Sequence, residues 1–258
     1  MISSLHAKNT PPIIDYVRES SNMYNYVEIQ KNISMYPRNH FALKLSALGL
    51  NESYQDCLNH VEELILNAKY NESKILIDAE NHAIQNGIDR ITDHVMKKFN
   101  QEDVVVYKTY QMYKKGAHQI LHKELTQERE YHLGVKLVRG AYLKQDHHWG
   151  VLCDNEHETH KQYDEGISYF VSYHQKKDSL ICATHNVRSI LLTKKLIKDN
   201  QLDNIEFAQL LGMSDSITDV LQKKGYKVYK YLPYGHFHES IPYLLRRLYE
   251  NYPMIQYI

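Results

Sequence analysis

The sequence predicts an α/β fold, a single-domain (β/α)8 TIM-like barrel, and three observations carry that prediction. Short apolar or β-branched runs recur along the 258 residues. They alternate with longer segments of helical period. No Gly/Ser linker, Pro-rich stretch or internal repeat divides the chain, so residues 1–258 read as one domain. An open doubly wound sheet would share the local pattern, but eight strand-like runs in a chain of this length favour closure.

Residues 1–12 read as a flexible N-terminus, and the first strand follows at Ile13–Val17. The next three strands are expected at Phe41–Leu45, Lys74–Ile77 and Val104–Tyr107. Val135–Val138, Leu180–Ala183, Asn204–Phe207 and Lys227–Tyr231 complete the eight. Between them the apolar residues change period. Leu58, Val61, Leu64, Ile65 and Ala68 share one face of a helix over Cys57–Ala68, and Ile84, Ile88, Ile91, Val95 and Phe99 do the same over Ile84–Phe99. Helices are also expected at Ile190–Lys198, Asp215–Lys224 and Glu239–Asn251.

Lys+Arg and Asp+Glu balance at 31 each, which gives no electrostatic case for nucleic acid as a partner. No apolar run reaches the ~18–20 residues of a membrane span, which leaves peripheral membrane contact open. Cys57, Cys153 and Cys182 are odd in number and form no CxxC, as expected of an intracellular, reducing compartment. Met1 to Ile14 carries a single Lys and makes a poor transit peptide.

In barrels of this kind the chemistry gathers at the C-terminal ends of the strands. Six of the eight ends carry polar groups: Lys44, Asp78, Lys108, Arg139, His185 with Asn186, and Tyr231. The run Lys136-Leu-Val-Arg-Gly-Ala-Tyr142 is a strand entering a small-residue turn, where Gly140 and Ala141 would admit a ligand close to the backbone beside two fixed cations. Thr184 or Asn186 of Ala183-Thr-His-Asn186 could also cap the helix that follows. Arg246 and Arg247 lie one turn inside a helix opened by Pro242. Tandem arginines are ordinarily solvated; aimed into the barrel mouth, they would grip a carboxylate.

Taken together and in order, these runs resemble the proline dehydrogenase family, and its eukaryotic-type branch above all. Lys44-Leu-Ser-Ala-Leu-Gly49, Ile77-Asp-Ala-Glu80, Thr109-Tyr-Gln111 and Gln209-Leu-Leu-Gly-Met213 match it, as do Val228-Tyr-Lys-Tyr-Leu-Pro-Tyr-Gly235 and the Arg-Arg-x-x-Glu-Asn ending at Asn251. Ile14-Asp-Tyr-Val-Arg-Glu19 resembles the family's first barrel strand more weakly. The resemblance implies FAD-dependent oxidation of L-proline to Δ1-pyrroline-5-carboxylate, with a quinone as electron acceptor and a mitochondrial setting. It implies that Arg246, Arg247 and Lys44 hold the substrate carboxylate, that Tyr231 and Tyr243 pack over the ring, and that Asp78 steadies Lys44 or Tyr231. Lys136, Arg139, Gly140, Ala141 and Tyr142 would meet the flavin and its phosphates. Thr184, His185 and Asn186 would hold the phosphate and adenosine portion, with Gln209, Leu210 and Glu250 completing the cofactor set.

Two positions depart from the family. Lys108 stands in place of a polar amide near the flavin, and Asp146 in place of a Glu after the Gly-Ala-Tyr turn. The long N-terminal extension of animal relatives, and their insertion after the second strand, have no counterpart here. A bulky Tyr231 favours proline over hydroxyproline, because the hydroxyproline-using branch tends to carry a small polar residue there. One rival reading is a family member without catalysis, acting as a binding or regulatory protein. Another is a metal-dependent hydrolase, prompted by the 16 His, but His157-Glu-Thr-His160 and its like lack a metal-ligand spacing.

Overall fold

The structure, a computed structural model, describes residues 1–18, 23–235 and 241. Eight parallel strands close into a barrel in sequence order. They are β1 (Pro12–Tyr16), β2 (His40–Leu43), β3 (Lys74–Ile77), β4 (Val106–Gln111), β5 (Gly134–Val138), β6 (Ser179–Ala183), β7 (Ile205–Leu210) and β8 (Val228–Tyr234). Closure is made by β8 on β1, with Pro12 opposite Lys230 and Tyr16 opposite Tyr234.

Two apolar sets, one per face of the pleat, build the core. Inside the barrel, Ile13, Ala42, Leu76, Tyr107, Ile181, Ala208 and Tyr229 form a plug of one residue per strand. β5 adds no apolar residue to the plug: its inward-facing side chains, Lys136 and Val138, line the cavity above. Outside, Phe41, Leu43, Ile75, Ile77, Val106, Val135, Leu137, Leu180, Phe207 and Val228 meet the helices. Helix α3 (Tyr54–Tyr70) contributes Val61, Leu64 and Ile65, and α4 (His82–Phe99) contributes Ile88, Ile91 and Val95. Because the plug closes the barrel below, an internal site can open only toward the C-terminal ends of the strands.

The remaining helices include α2 (Met23–Met35), α5 (Ala117–Thr126), α6 (Leu143–Asp146) and α9 (Asp215–Lys223), and side-chain caps set where several helices begin. Ser53 accepts from Asp56 N to start α3, and Asn81 accepts from Ala83 N to start α4. Asn155 and Asn186 do the same for α7 (Glu156–Tyr173) and α8 (Val187–Asn200). The N-terminal segment departs from expectation. Ile2–Ala7 forms a helix, α1, whose Leu5 is buried and whose His6 ring meets Asn39 Oδ1 at 2.9 Å. No helix among the described residues is long and apolar enough to cross a membrane. The expected helix at Glu239–Asn251 falls outside the described residues.

The lower end of the barrel is braced by a buried ion pair. Arg129, just ahead of β5, donates two bonds to Asp178 at the start of β6, that from Nη1 at 2.8 Å. The same carboxylate accepts from Leu133 N at 2.8 Å and Gln175 N at 2.7 Å. Every lone-pair direction of Asp178 is therefore used, the condition under which a buried charge is tolerated.

Candidate active site

A cavity with ≈ 1160 Å³ of open space, mouth included, lies at the C-terminal ends of β3 to β8. Asp78 follows β3 directly and forms its charged centre. Lys136 Nζ donates to Asp78 Oδ1 at 2.7 Å, and Tyr231 Oη donates to Oδ2 at 2.8 Å. Lys136 Nζ also stands 4.9 Å from the centre of the Tyr231 ring. Lys44 Nζ approaches Asp78 Oδ2 at 3.9 Å from behind, where it is fully buried and paired with Asp15. Burial works against the ionised Asp78, but Lys136, Lys44 and the hydrogen bonds from Lys136 and Tyr231 outweigh it and hold its carboxyl below the usual range. Asp78 is thus an ionised acceptor at neutral pH rather than a proton donor.

The wall opposite is the turn after β5. Arg139, Gly140, Ala141 and Tyr142 all line the cavity. Gly140 has φ +136, and a Cβ there would stand 2.3 Å from Tyr113 Cδ1. The glycine therefore makes room for the Tyr113 ring, whereas the sequence suggested room for a ligand. Tyr113 Oη in turn donates to Asp146 Oδ2 at 2.6 Å, and Asp146 Oδ1 accepts from His82 N at 2.6 Å. Asp146, fully buried, ties the turn to the start of α4. Its departure from the family's Glu bears on packing, with no direct contact to the cavity.

Of the Thr-His-Asn run, Thr184 and His185 line the cavity, as do Gln209 and Leu210 at the end of β7. His185 spends both ring nitrogens internally: Nε2 accepts from Leu210 N at 3.2 Å and Nδ1 lies 3.1 Å from Ser214 Oγ. Burial, then the charges of Lys230 and Arg139, push its pKa down to about 4, so the ring is neutral and serves as a strut between β6 and β7. Asn186 works as the cap of α8, accepting from Ser189 N at 3.0 Å.

Lys108 requires a correction. It sits on the outer face of β4, with Nζ 2.7 Å from Asp93 and 2.8 Å from Glu124. A strand turns successive side chains to opposite faces, so it is Thr109 and Gln111 that reach the cavity. Asp15 was also missed as a partner of Lys44. Its signal was a carboxylate inside the otherwise apolar run Pro12–Val17. Tyr243, Arg246, Arg247 and Glu250 lie outside the described residues.

Several cavity atoms have no partner among the described residues: Thr109 Oγ1, Gln111 Oε1 and Gln209 Nε2. Buried polar atoms are seldom left so. A ligand with both donors and acceptors along a flat edge would satisfy them, and an anionic portion would meet Arg139. The residues present therefore fit FAD. No group of three His, Cys, Asp or Glu side chains among the described residues is placed to hold a metal ion.

A closed β/α barrel with buried charges and unpaired polar groups at its upper mouth belongs to the barrel class that carries enzyme sites. Similarity to known proteins narrows that class. The model of the proline dehydrogenase family matches residues 6–255. "Proline dehydrogenase 1, mitochondrial" of Dictyostelium discoideum is 34% identical over 195 residues, 69% of this chain and 34% of that protein. "Hydroxyproline dehydrogenase" of Xenopus laevis is 30% identical over 224 residues, 81% of this chain and 48% of that protein. The chain thus spans less than half the length of either relative. Proline utilization A from Bdellovibrio bacteriovorus, solved after inactivation by N-propargylglycine, shares the fold with a TM-score of 0.87 at 16% identity, over 97% of this chain and 31% of that one. The chain belongs to the proline dehydrogenase family.

Proposed function

We propose that this chain binds FAD in the barrel mouth and oxidises L-proline to Δ1-pyrroline-5-carboxylate, the electrons passing to a quinone. The observation that carries the reading is the Lys136–Asp78–Tyr231 cluster, backed by Lys44, on a cavity where Thr109 Oγ1, Gln111 Oε1 and Gln209 Nε2 have no partner among the described residues. Membership of the family supports it, and relatives named mitochondrial support a mitochondrial setting. When bound, FAD supplies a two-electron acceptor. In balance, proline loses two electrons and two protons to form the cyclic imine, and the quinone gains both as quinol.

The chain's own residues would act by placement. Asp78, kept ionised, fixes the ammonium of Lys136 and the hydroxyl of Tyr231 and so the shape of the floor on which the ring rests. Tyr231 lines the cavity with its hydroxyl committed to Asp78, which would leave little room for a ring hydroxyl on the substrate. The plug beneath keeps bulk water from entering below. Arg246 and Arg247, implied by the family's motif, would take the carboxylate.

Steady-state turnover with a water-soluble quinone and added FAD tests this reading on L-proline and trans-4-hydroxy-L-proline side by side. L-Proline is expected to have the higher kcat/KM by at least about tenfold, the scale set by one misplaced polar group. Preference for hydroxyproline would overturn the substrate assignment, and turnover of neither would overturn the enzyme reading.

A further inference from the structure

Arg139 is held in an unusual way. Its Nε donates to His160 Nδ1 at 3.0 Å, Nη1 to Thr184 Oγ1 at 2.7 Å and Nη2 to Ser189 Oγ at 3.0 Å. The Tyr163 ring lies 4.4 Å from the guanidinium carbon. All three acceptors are neutral and come from three elements: α7, the end of β6 and the first turn of α8. Among the described residues no carboxylate lies within ion-pair distance of Arg139, although it lines the cavity. A guanidinium fixed by neutral acceptors keeps its charge available to an anion while losing its freedom to turn away.

The support runs outward to the far side of α7. Ser189 Oγ donates on to Asp164 Oδ1 at 2.6 Å. The Arg139 Nε–H can only donate, so Nδ1 of His160 accepts and the proton of the neutral ring sits on Nε2, which lies 3.5 Å from Glu156. His160 itself lines a separate outer crevice with His157, Lys161, Asp164 and Arg188, and has no place on the substrate cavity.

We propose that His160 is a positioning residue that aims Arg139 at the anionic part of the cofactor. The proposal rests on the reading that FAD occupies the barrel mouth. It extends the site through the barrel wall to a helix residue that the family motifs do not include. It also gives cofactor affinity a pH dependence. A proton on Nδ1 would replace the acceptor by a donor and set a second positive charge against Arg139. Burial first, then Arg139 itself, lowers the His160 pKa from its ordinary 6.5. Glu156 and Asp164 act the other way and His157 adds to the lowering, while Arg188 on α8 lines the same crevice. The neutral, accepting form therefore prevails at neutral pH, and FAD affinity should be flat there and fall as the pH drops below 6.5.

Flavin fluorescence quenching, which reads binding and not turnover, tests the proposal on the full chain titrated with FAD from pH 5 to 8. His160→Phe is expected to weaken FAD binding about tenfold at pH 7.5, the worth of one hydrogen bond to a charged group. His160→Asn, whose Oδ1 can take the place of Nδ1, should stay within about threefold of wild type and lose the acid-side fall. In an Arg139→Met background His160→Phe should have no further effect, because the two act as one unit. Wild-type affinity with His160→Phe, or an equal loss in the Arg139→Met background, would overturn the proposal. Failure of the wild-type chain to quench FAD at any pH would instead overturn the flavin reading beneath it.

Discussion

Asp78→Asn is expected to lower kcat/KM for L-proline by about 100-fold or more, with the fold intact. The amide could still accept from Tyr231, whose 2.8 Å bond anchors the ring. It could not balance Lys136, whose Nζ lies 2.7 Å away, or Lys44 behind it. Removing one partner of a buried pair costs about 3–5 kcal/mol because the other charge is left uncompensated. Part of that cost is expected to appear as displacement of Lys136 and hence as lost transition-state stabilisation. Steady-state kinetics beside a thermal melt separate the two. A variant with wild-type kcat/KM would remove Asp78 from the centre of the site.

Asp178→Ala is expected to have the largest effect on stability, about 3–5 kcal/mol. It strands the Arg129 guanidinium, whose side chain is only 1% exposed, together with the N–H groups of Leu133 and Gln175. For a chain of this size that corresponds to a fall in Tm on the order of 10 °C. Asp178→Asn should lose less, since one acceptor oxygen remains. A change below about 1 kcal/mol in urea-induced unfolding would show that the brace between β5 and β6 is dispensable. The pair lies at the end of the barrel opposite the cavity, so residual folded protein should still bind FAD.

The barrel was legible in the sequence because its apolar runs are short and each is bounded by polar residues. Lys74–Ile77 was read to the residue. Three strands ran on further than expected, β4 to Gln111, β7 to Leu210 and β8 to Tyr234, and the first two did so through Thr109, Gln111 and Gln209. Those polar residues end the apolar pattern because they face the cavity, so the signal for a strand failed where the site begins. The same cause produced the error at Lys108. With the strand ended at Tyr107, the next residue looked like a strand-end charge, whereas the alternation turns it outward among Asp89, Asp93 and Glu124. Charged residues near strand ends could be found from the sequence. Which of them pair could not, because that depends on strand stagger: Lys136 rather than Lys44 is the near partner of Asp78, and Asp15 takes Lys44. His160 stood out in the sequence only within His157-Glu-Thr-His160, a cluster without metal-ligand spacing, and its meeting with Arg139 needs the packing of α7 against the turn after β5.

The visible spectrum of the purified chain, recorded without oxygen before and after addition of L-proline, tests the central claim most directly. The expected result is an oxidised flavin spectrum that bleaches as the two electrons of proline reach the bound cofactor, with colour restored by a quinone. A flavin that stays oxidised in the presence of proline would contradict the substrate and the reaction, and a chain that neither carries nor takes up FAD would contradict the account of the cavity itself.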